Sequence, residues 1–225
     1  MESVLLIVVL FILVSLLLFY SSYSIKARVY MRSVCRKDTD EKVVALTFDD
    51  GPHPEQTPKV LEILRERGVK ATFFCIGANI ENNRVLTKRV DEDGHIVGNH
   101  SYCHTWTFPW FGYGKMEQDL RRCDKLIEET TGKEVKFFRP PFGVTNPTVA
   151  KVVKNGGYIS VGWNIRSLDT TCKGDISKVL RRIEKKLKPG SIIALHDRLP
   201  FSDKLLILIL DMLSEKGYRI ERLPD

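Results

Sequence analysis

KVVALTF (Lys42–Phe48), followed at once by DDGP (Asp49–Pro52), is the stretch from which the rest of the chain can be read. A run rich in β-branched and apolar residues, closed by a Gly-Pro turn, predicts a buried strand. Two carboxylates then stand at that strand's carboxyl end. Downstream, helical spacing covers Thr57–Arg67, with Val60, Leu61 and Leu64 on one face. It returns over Arg84–Val90, Lys115–Thr130, Pro147–Lys154, Ile176–Leu187 and Asp203–Glu215. Strand-like runs separate these segments at Lys70–Ile76, His95–Asn99, Val135–Phe138, Tyr158–Trp163, Ser191–Leu195 and Tyr218–Leu223. Repeated strand–helix alternation predicts an α/β fold of parallel strands wrapped by helices, an open doubly wound sheet or a barrel.

Ahead of this block lies Val4–Tyr20 (VLLIVVLFILVSLLLFY), relieved only by Ser15. With Ser21–Tyr23 added it is long enough to cross a hydrocarbon core. The leader carries Glu2 and neither Lys nor Arg, and no A-x-A cleavage pattern follows, so a retained anchor is expected rather than a removed signal peptide. The chain thus divides into an anchor over 1–24, a basic juxtamembrane linker over 25–41 and one domain over 42–225. Leu205–Leu210 (LLILIL) is too short for a second span and is flanked by Asp203, Lys204 and Asp211, which predicts a buried helix.

Length and composition set the bounds. The 225 residues have room for one full-sized domain and a short appendage. The 35 Lys+Arg against 28 Asp+Glu give +7, an excess that suits anionic surfaces. A solvated basic surface accounts for it, and without a nucleic-acid motif or an aromatic-basic stripe no nucleic-acid partner is expected. Cys35, Cys75, Cys103, Cys123 and Cys172 are odd in number and include no C-x-x-C pair, which supports neither a disulfide framework nor a zinc finger.

The chemistry-bearing residues gather at the carboxyl ends of the predicted strands, the edge at which barrels and open α/β sheets bind ligands. Taken singly, each has an ordinary explanation. Asp49-Asp50 before Gly-Pro can be turn formers. His100 and His104, in HSYCH, can be unrelated histidines, although one helical turn or a tight loop brings both imidazoles to one ion. Arg139 before two prolines can be an exposed arginine at a rigid turn, and His196 after Ile192–Leu195 a satisfied core histidine. Together, one carboxylate and two imidazoles make a hydrolytic metal site with an open position.

TFDDGP, HSYCH, RPPFG and LHD, in that order, resemble the polysaccharide deacetylase family, the carbohydrate esterases of family four that share the NodB homology domain. The resemblance spans roughly Lys42 to Leu223. It implies a distorted (β/α) barrel of about seven strands and removal of acetyl groups from N-acetylglucosamine-containing glycans such as peptidoglycan, chitin-like chains or exopolysaccharide. It further implies that Asp50, His100 and His104 hold a divalent metal, most often zinc. Asp49 would be the general base, paired with and oriented by Arg139. The metal and the Phe142 N–H would stabilise the oxyanion. His196 would protonate the leaving amine, with Asp169 orienting it and favouring the imidazolium.

Departures from the family pattern concentrate in one motif. Arg166-Ser167-Leu168-Asp169-Thr170 has Thr170 where an aromatic is common and Arg166 where an acidic residue is often found, which affects the groove wall. Phe142 stands for a common Tyr, and Trp106, Phe108, Trp110, Phe111 and Tyr113 crowd the segment after His104. The same chemistry would serve a lipid-linked amino sugar at the membrane surface or an O-acetyl ester on xylan-like chains. An inactive sugar-binding protein would be expected to lack at least one of these groups. The outside location of such polymers places the catalytic domain extracytoplasmically, whereas Lys26, Arg28, Arg32, Arg36 and Lys37 after the anchor favour the cytoplasmic side.

Overall fold

The predicted first strand forms as Val43–Asp49 (β1) and lies inside an all-parallel sheet of a computed structural model that describes residues 1–223. Its helix Gln56–Glu66 (α2) leads to Thr72–Cys75 (β2), followed by Gly77–Asn82 (α3) and Arg84–Glu92 (α4). Then come Ile96–Asn99 (β3), Tyr113–Thr131 (α5), Phe137–Phe138 (β4), Pro147–Asn155 (α6) and Ile159–Ser160 (β5). Ile165–Arg166 (β6), Ile176–Lys186 (α7), Ser191–His196 (β7), Ser202–Glu215 (α8) and Arg219–Ile220 (β8) complete the domain. Ahead of it stands one long apolar helix, Glu2–Tyr23 (α1).

The strands run β5-β4-β3-β2-β1-β7-β6, with β8 paired to the start of β1. This is a distorted (β/α) half-barrel of seven strands with one short extra strand. The strand expected over Tyr158–Trp163 is the main difference from the sequence reading. Only Ile159–Ser160 of it forms a strand, β5, and the unpredicted β6 that follows in the chain lies at the opposite edge of the sheet. Val161–Asn164 crosses between them. The carbonyls of Val161 and Gly162 accept from the guanidinium of Arg139, more distant in the chain, at 3.1 and 2.9 Å, rather than continuing a ladder to a neighbouring strand.

Period-two alternation along β1 sorts its side chains. Val44, Leu46 and Phe48 join Phe73, Ile193 and Leu195 in the core beneath the helices, where α8 contributes Leu205, Leu206, Ile209 and Leu210. LLILIL is therefore largely buried, as its flanking charges predict. Each such side chain contributes about 1.5–3 kcal/mol by leaving water. Thr47 and Asp49, on the opposite face of β1, are also buried, and both meet Arg139.

Residues 25–41, the basic stretch after α1, lie along the seam between the sheet edges. Val34 bridges to Val161, Arg36 to Ser191, and the Ser33 and Ser160 hydroxyls meet at 2.8 Å. The Lys37 N–H donates to the Gly190 carbonyl at 2.8 Å. Gly190 has φ +74°, and a Cβ there would overlap the Lys37 carbonyl. Gly190→Ala is therefore expected to cost more than about 1 kcal/mol, read as a lower denaturation midpoint together with faster hydrogen exchange at the Lys37 amide.

Candidate functional site

Asp49 is the last residue of β1 and Asp50 the first beyond it, and the change of backbone between them aims their carboxylates differently. Asp50 adopts φ +69°. Gly51 follows because the Asp197 carboxylate lies where a side chain would begin, 2.5 Å from the position of a Cβ. Asp49 meets Arg139, whose Nη1 donates to its Oδ1 at 2.5 Å. The guanidinium is fully buried, also donates to Thr47 Oγ1 at 2.8 Å, and lies 4.1 Å from the centre of the Phe74 ring. Burial pulls the Arg139 pKa down, and the Asp49 charge opposes that fall.

The two histidines come from a tight loop rather than a helical turn. Asn99, at the end of β3, accepts from the Ser101 N–H at 2.7 Å and donates to Asp124 at 2.7 Å. Asp119 on α5 accepts from the Tyr102 and Cys103 N–H groups, and Ser101 Oγ accepts from the His104 N–H. His100 Nδ1 is 2.7 Å from the Arg139 carbonyl, so that nitrogen carries the proton and Nε2 presents its lone pair. His100 Nε2 and His104 Nε2 lie 3.5 and 3.4 Å from Asp50 Oδ1.

Ligand atoms of Asp50, His100 and His104 all fall within 4.8 Å of one another, the arrangement needed for a cation. Buried His104 Nε2 makes no hydrogen bond, as expected of an atom reserved for a metal. Burial, then the neighbouring His100, pushes the His104 pKa down to about 4, which leaves a neutral imidazole able to ligate. Burial would raise the Asp50 pKa, but His100 first, then His104 and His196, hold it well below the usual carboxylate range to the extent that those imidazoles carry a proton toward it. The residues present fit a divalent ion. Cys103 lies outside the cluster.

His196 ends β7 on the other side of the same cleft. Its Nδ1 is 2.8 Å from Asp169 Oδ1, and Asp169 Oδ2 accepts from the His196 N–H at 2.8 Å. Burial lowers the His196 pKa, yet the Asp169 hydrogen bond and the charges of Asp169, Asp49 and Asp50 outweigh it and leave the value raised. Phe142, at φ +60°, sets its ring 4.8 Å from that of His104. Six of the eight residues singled out from sequence line one cleft of about 430 Å³ together with Trp163, Arg166, Thr170 and Arg198, and the other two, Arg139 and Asp169, are buried against Asp49 and His196.

Several participants were not singled out from sequence. Arg198 donates from Nε to Asp50 Oδ2 at 2.9 Å, one residue beyond the LHD motif. Asp197, within that motif, is buried, accepts from Thr57 at 2.5 Å, and has its pKa pushed up by burial to about 7. Asn99 and Asp119 shape the histidine loop. Their signal was position: Asn99 immediately precedes the first histidine at a predicted strand end.

Residues 36–161 match the sequence profile described as polysaccharide deacetylase. A peptidoglycan-N-acetylglucosamine deacetylase of Bacillus cereus is 37% identical over 187 residues, covering 80% of this chain and 85% of that protein. Among solved structures, a peptidoglycan N-acetylglucosamine deacetylase in complex with an N-hydroxybenzamide superposes with a TM-score of 0.80 at 30% identity, over 85% of this chain and 91% of that one. A pseudoenzyme of carbohydrate esterase family four from Bacillus anthracis gives 0.79 at 27% identity, over 85% and 67%. Sequence profile, overall identity and fold agree, and the chain belongs to the polysaccharide deacetylase family.

Proposed function

We propose that this protein is a metal-dependent hydrolase that removes N-acetyl groups from N-acetylglucosamine-containing polysaccharide. One observation supports the reading above the others: the Asp50–His100–His104 cluster lies between two differently built acid–base pairs, Asp49–Arg139 and His196–Asp169. Asp50, His100 and His104 would hold a divalent ion, zinc by the match of two imidazoles and one carboxylate with an open position to its hydrolytic sites, and when bound it would supply a Lewis acid for the acetyl carbonyl and acidify a water. Asp49 takes the proton from the attacking water, and Arg139 fixes the carboxylate that receives it. The Phe142 N–H donates to the oxygen on which negative charge develops. His196, held with Nδ1 toward Asp169, gives the proton from Nε2 to the departing amine. Base and acid need opposite protonation at one pH, and the different partners of Asp49 and His196 provide for that.

Peptidoglycan is the favoured polymer, because the Bacillus cereus relative is named for it and covers most of both chains. A sugar-binding protein without turnover is disfavoured by the complete set of ligands, base and acid in one cleft. This first helix carries a window of mean hydropathy 3.1 with none of it buried, which supports a membrane span, and the leader without Lys or Arg and without an A-x-A site favours its retention as an anchor helix. The domain is proposed to begin with the strap over 25–41 and to face the extracytoplasmic side, where such polymers lie. A periplasmic phosphatase reporter fused after Asp225 should be active, and an active cytoplasmic fluorescent fusion in its place would reverse the orientation.

Asp49→Asn and His196→Ala should each lower turnover by about 10²–10⁴-fold while still binding one zinc. Near-normal rates with stoichiometric zinc in either variant would overturn these roles. Zinc added at 100 times its dissociation constant should stabilise the wild-type fold by about 2.7 kcal/mol. The thermal midpoint should rise accordingly, and His104→Ala should abolish that rise.

A further inference from the structure

The end of the anchor helix is fastened to the catalytic domain rather than tethered by free chain. Thr145, three residues beyond Phe142, donates from its N–H to the Ser22 carbonyl at 2.9 Å and from its hydroxyl to the Ser21 carbonyl at 3.1 Å. These carbonyls belong to the last turn, where a helix lacks internal donors. The domain therefore caps the helix. Ser21 and Ile25 are buried at this joint. Asn146 continues the connection by donating from Nδ2 to the Pro109 carbonyl at 2.7 Å, which secures the aromatic loop after His104.

Between helix and loop runs an apolar groove of about 690 Å³. Leu18, Phe19 and Tyr23 form one wall, Trp106 and Trp110 the other, and Phe142 stands at the end shared with the catalytic cleft. Trp106 and Trp110 are 78% and 80% exposed, an unfavourable state for indoles facing water alone. The helix has 22 residues and spans about 33 Å at 1.5 Å per residue, close to the thickness of a hydrocarbon core. Leu18 lies about 7 Å below the helix end on the same rise, so the groove occupies the depth of the headgroup boundary, about 5–10 Å. Exposed Arg28 and Arg32 follow the same end and complement anionic headgroups.

We infer that lipid fills this groove: Trp106 and Trp110 form a lip seated in the membrane interface beside the anchor helix, and the catalytic cleft opens against the bilayer surface. Amphipathic indoles favour that layer. The consequence for the proposed deacetylase is a site that meets acetylated sugars at the membrane face. The inference rests on the reading of the first helix as a retained span.

The test uses the full chain in nanodiscs of phosphatidylcholine and phosphatidylglycerol with acyl chains brominated near the headgroup end. The three tryptophans are isolated in turn with Phe replacements: W110F/W163F leaves Trp106, W106F/W163F leaves Trp110, and W106F/W110F leaves Trp163. Trp106 and Trp110 should lose most of their emission to the brominated lipid and resist aqueous iodide, whereas Trp163, in the cleft, should not respond to bromine. Protein retained in the disc with both indoles quenched by iodide and insensitive to bromine would overturn the lip alone. Protein that fails to remain in the disc would overturn the span, and the lip with it.

Discussion

A guanidinium buried inside a barrel requires a reason, and the Arg139–Asp49 pair supplies the one on which much of this structure depends. Arg139 donates to Asp49, to Thr47 and to two carbonyls of the seam at Val161 and Gly162. It therefore satisfies the gap between sheet edges and holds a site carboxylate at the same time. A buried ion pair is weak evidence for stability, because desolvation offsets most of the attraction. Removing one partner is another matter: an uncompensated buried charge typically costs about 3–5 kcal/mol. Fold and site are thus coupled through one side chain.

The cleft concentrates backbone strain around that pair. Among the described residues, seven non-glycine positions have positive φ, and Asp50, Ser101, His104, Phe142 and Leu168 lie in or beside the site. Such conformations cost of order 1–3 kcal/mol each and persist only where surrounding contacts over-determine them. Here the contacts can be named. Asn99, Asp119 and Ser101 hold the histidine loop, and the Asp197 carboxylate against Gly51 holds the aspartate turn. Leu168 precedes Asp169, whose carboxylate is fixed by the backbone and ring of His196. The rigid shell gives the proposed acid, base and metal ligands fixed relative positions, which is what catalysis at one carbonyl needs.

Much of this was legible in the sequence because period and punctuation carried it. Alternating strand and helix signals gave a parallel sheet, and their polar ends gave the site's edge. What escaped was decided by contacts distant in sequence. Tyr158–Trp163 reads as one strand, since nothing local announces that Arg139 takes its carbonyls. Residues 25–41 read as a basic linker, whereas their pairing with Val161 and Ser191 depends on a gap in the sheet that composition does not reveal. Asp119 and Arg198 lie outside any motif, yet one shapes the histidine loop and the other reaches the Asp50 carboxylate. The aromatic cluster after His104 was visible, but only the capped helix end beside Trp106 and Trp110 shows which apolar surface it adjoins.

The central claim is that the Asp50–His100–His104 cluster makes this chain a metal-dependent deacetylase. It is tested most directly by acetate release from peptidoglycan and chitin oligosaccharides, using the full chain first stripped of metal and then returned to stoichiometric zinc. The account predicts negligible release from the stripped protein and recovery on adding zinc. Folded, zinc-loaded protein that releases no acetate from any acetylated amino sugar, or equal release with and without metal, would contradict it.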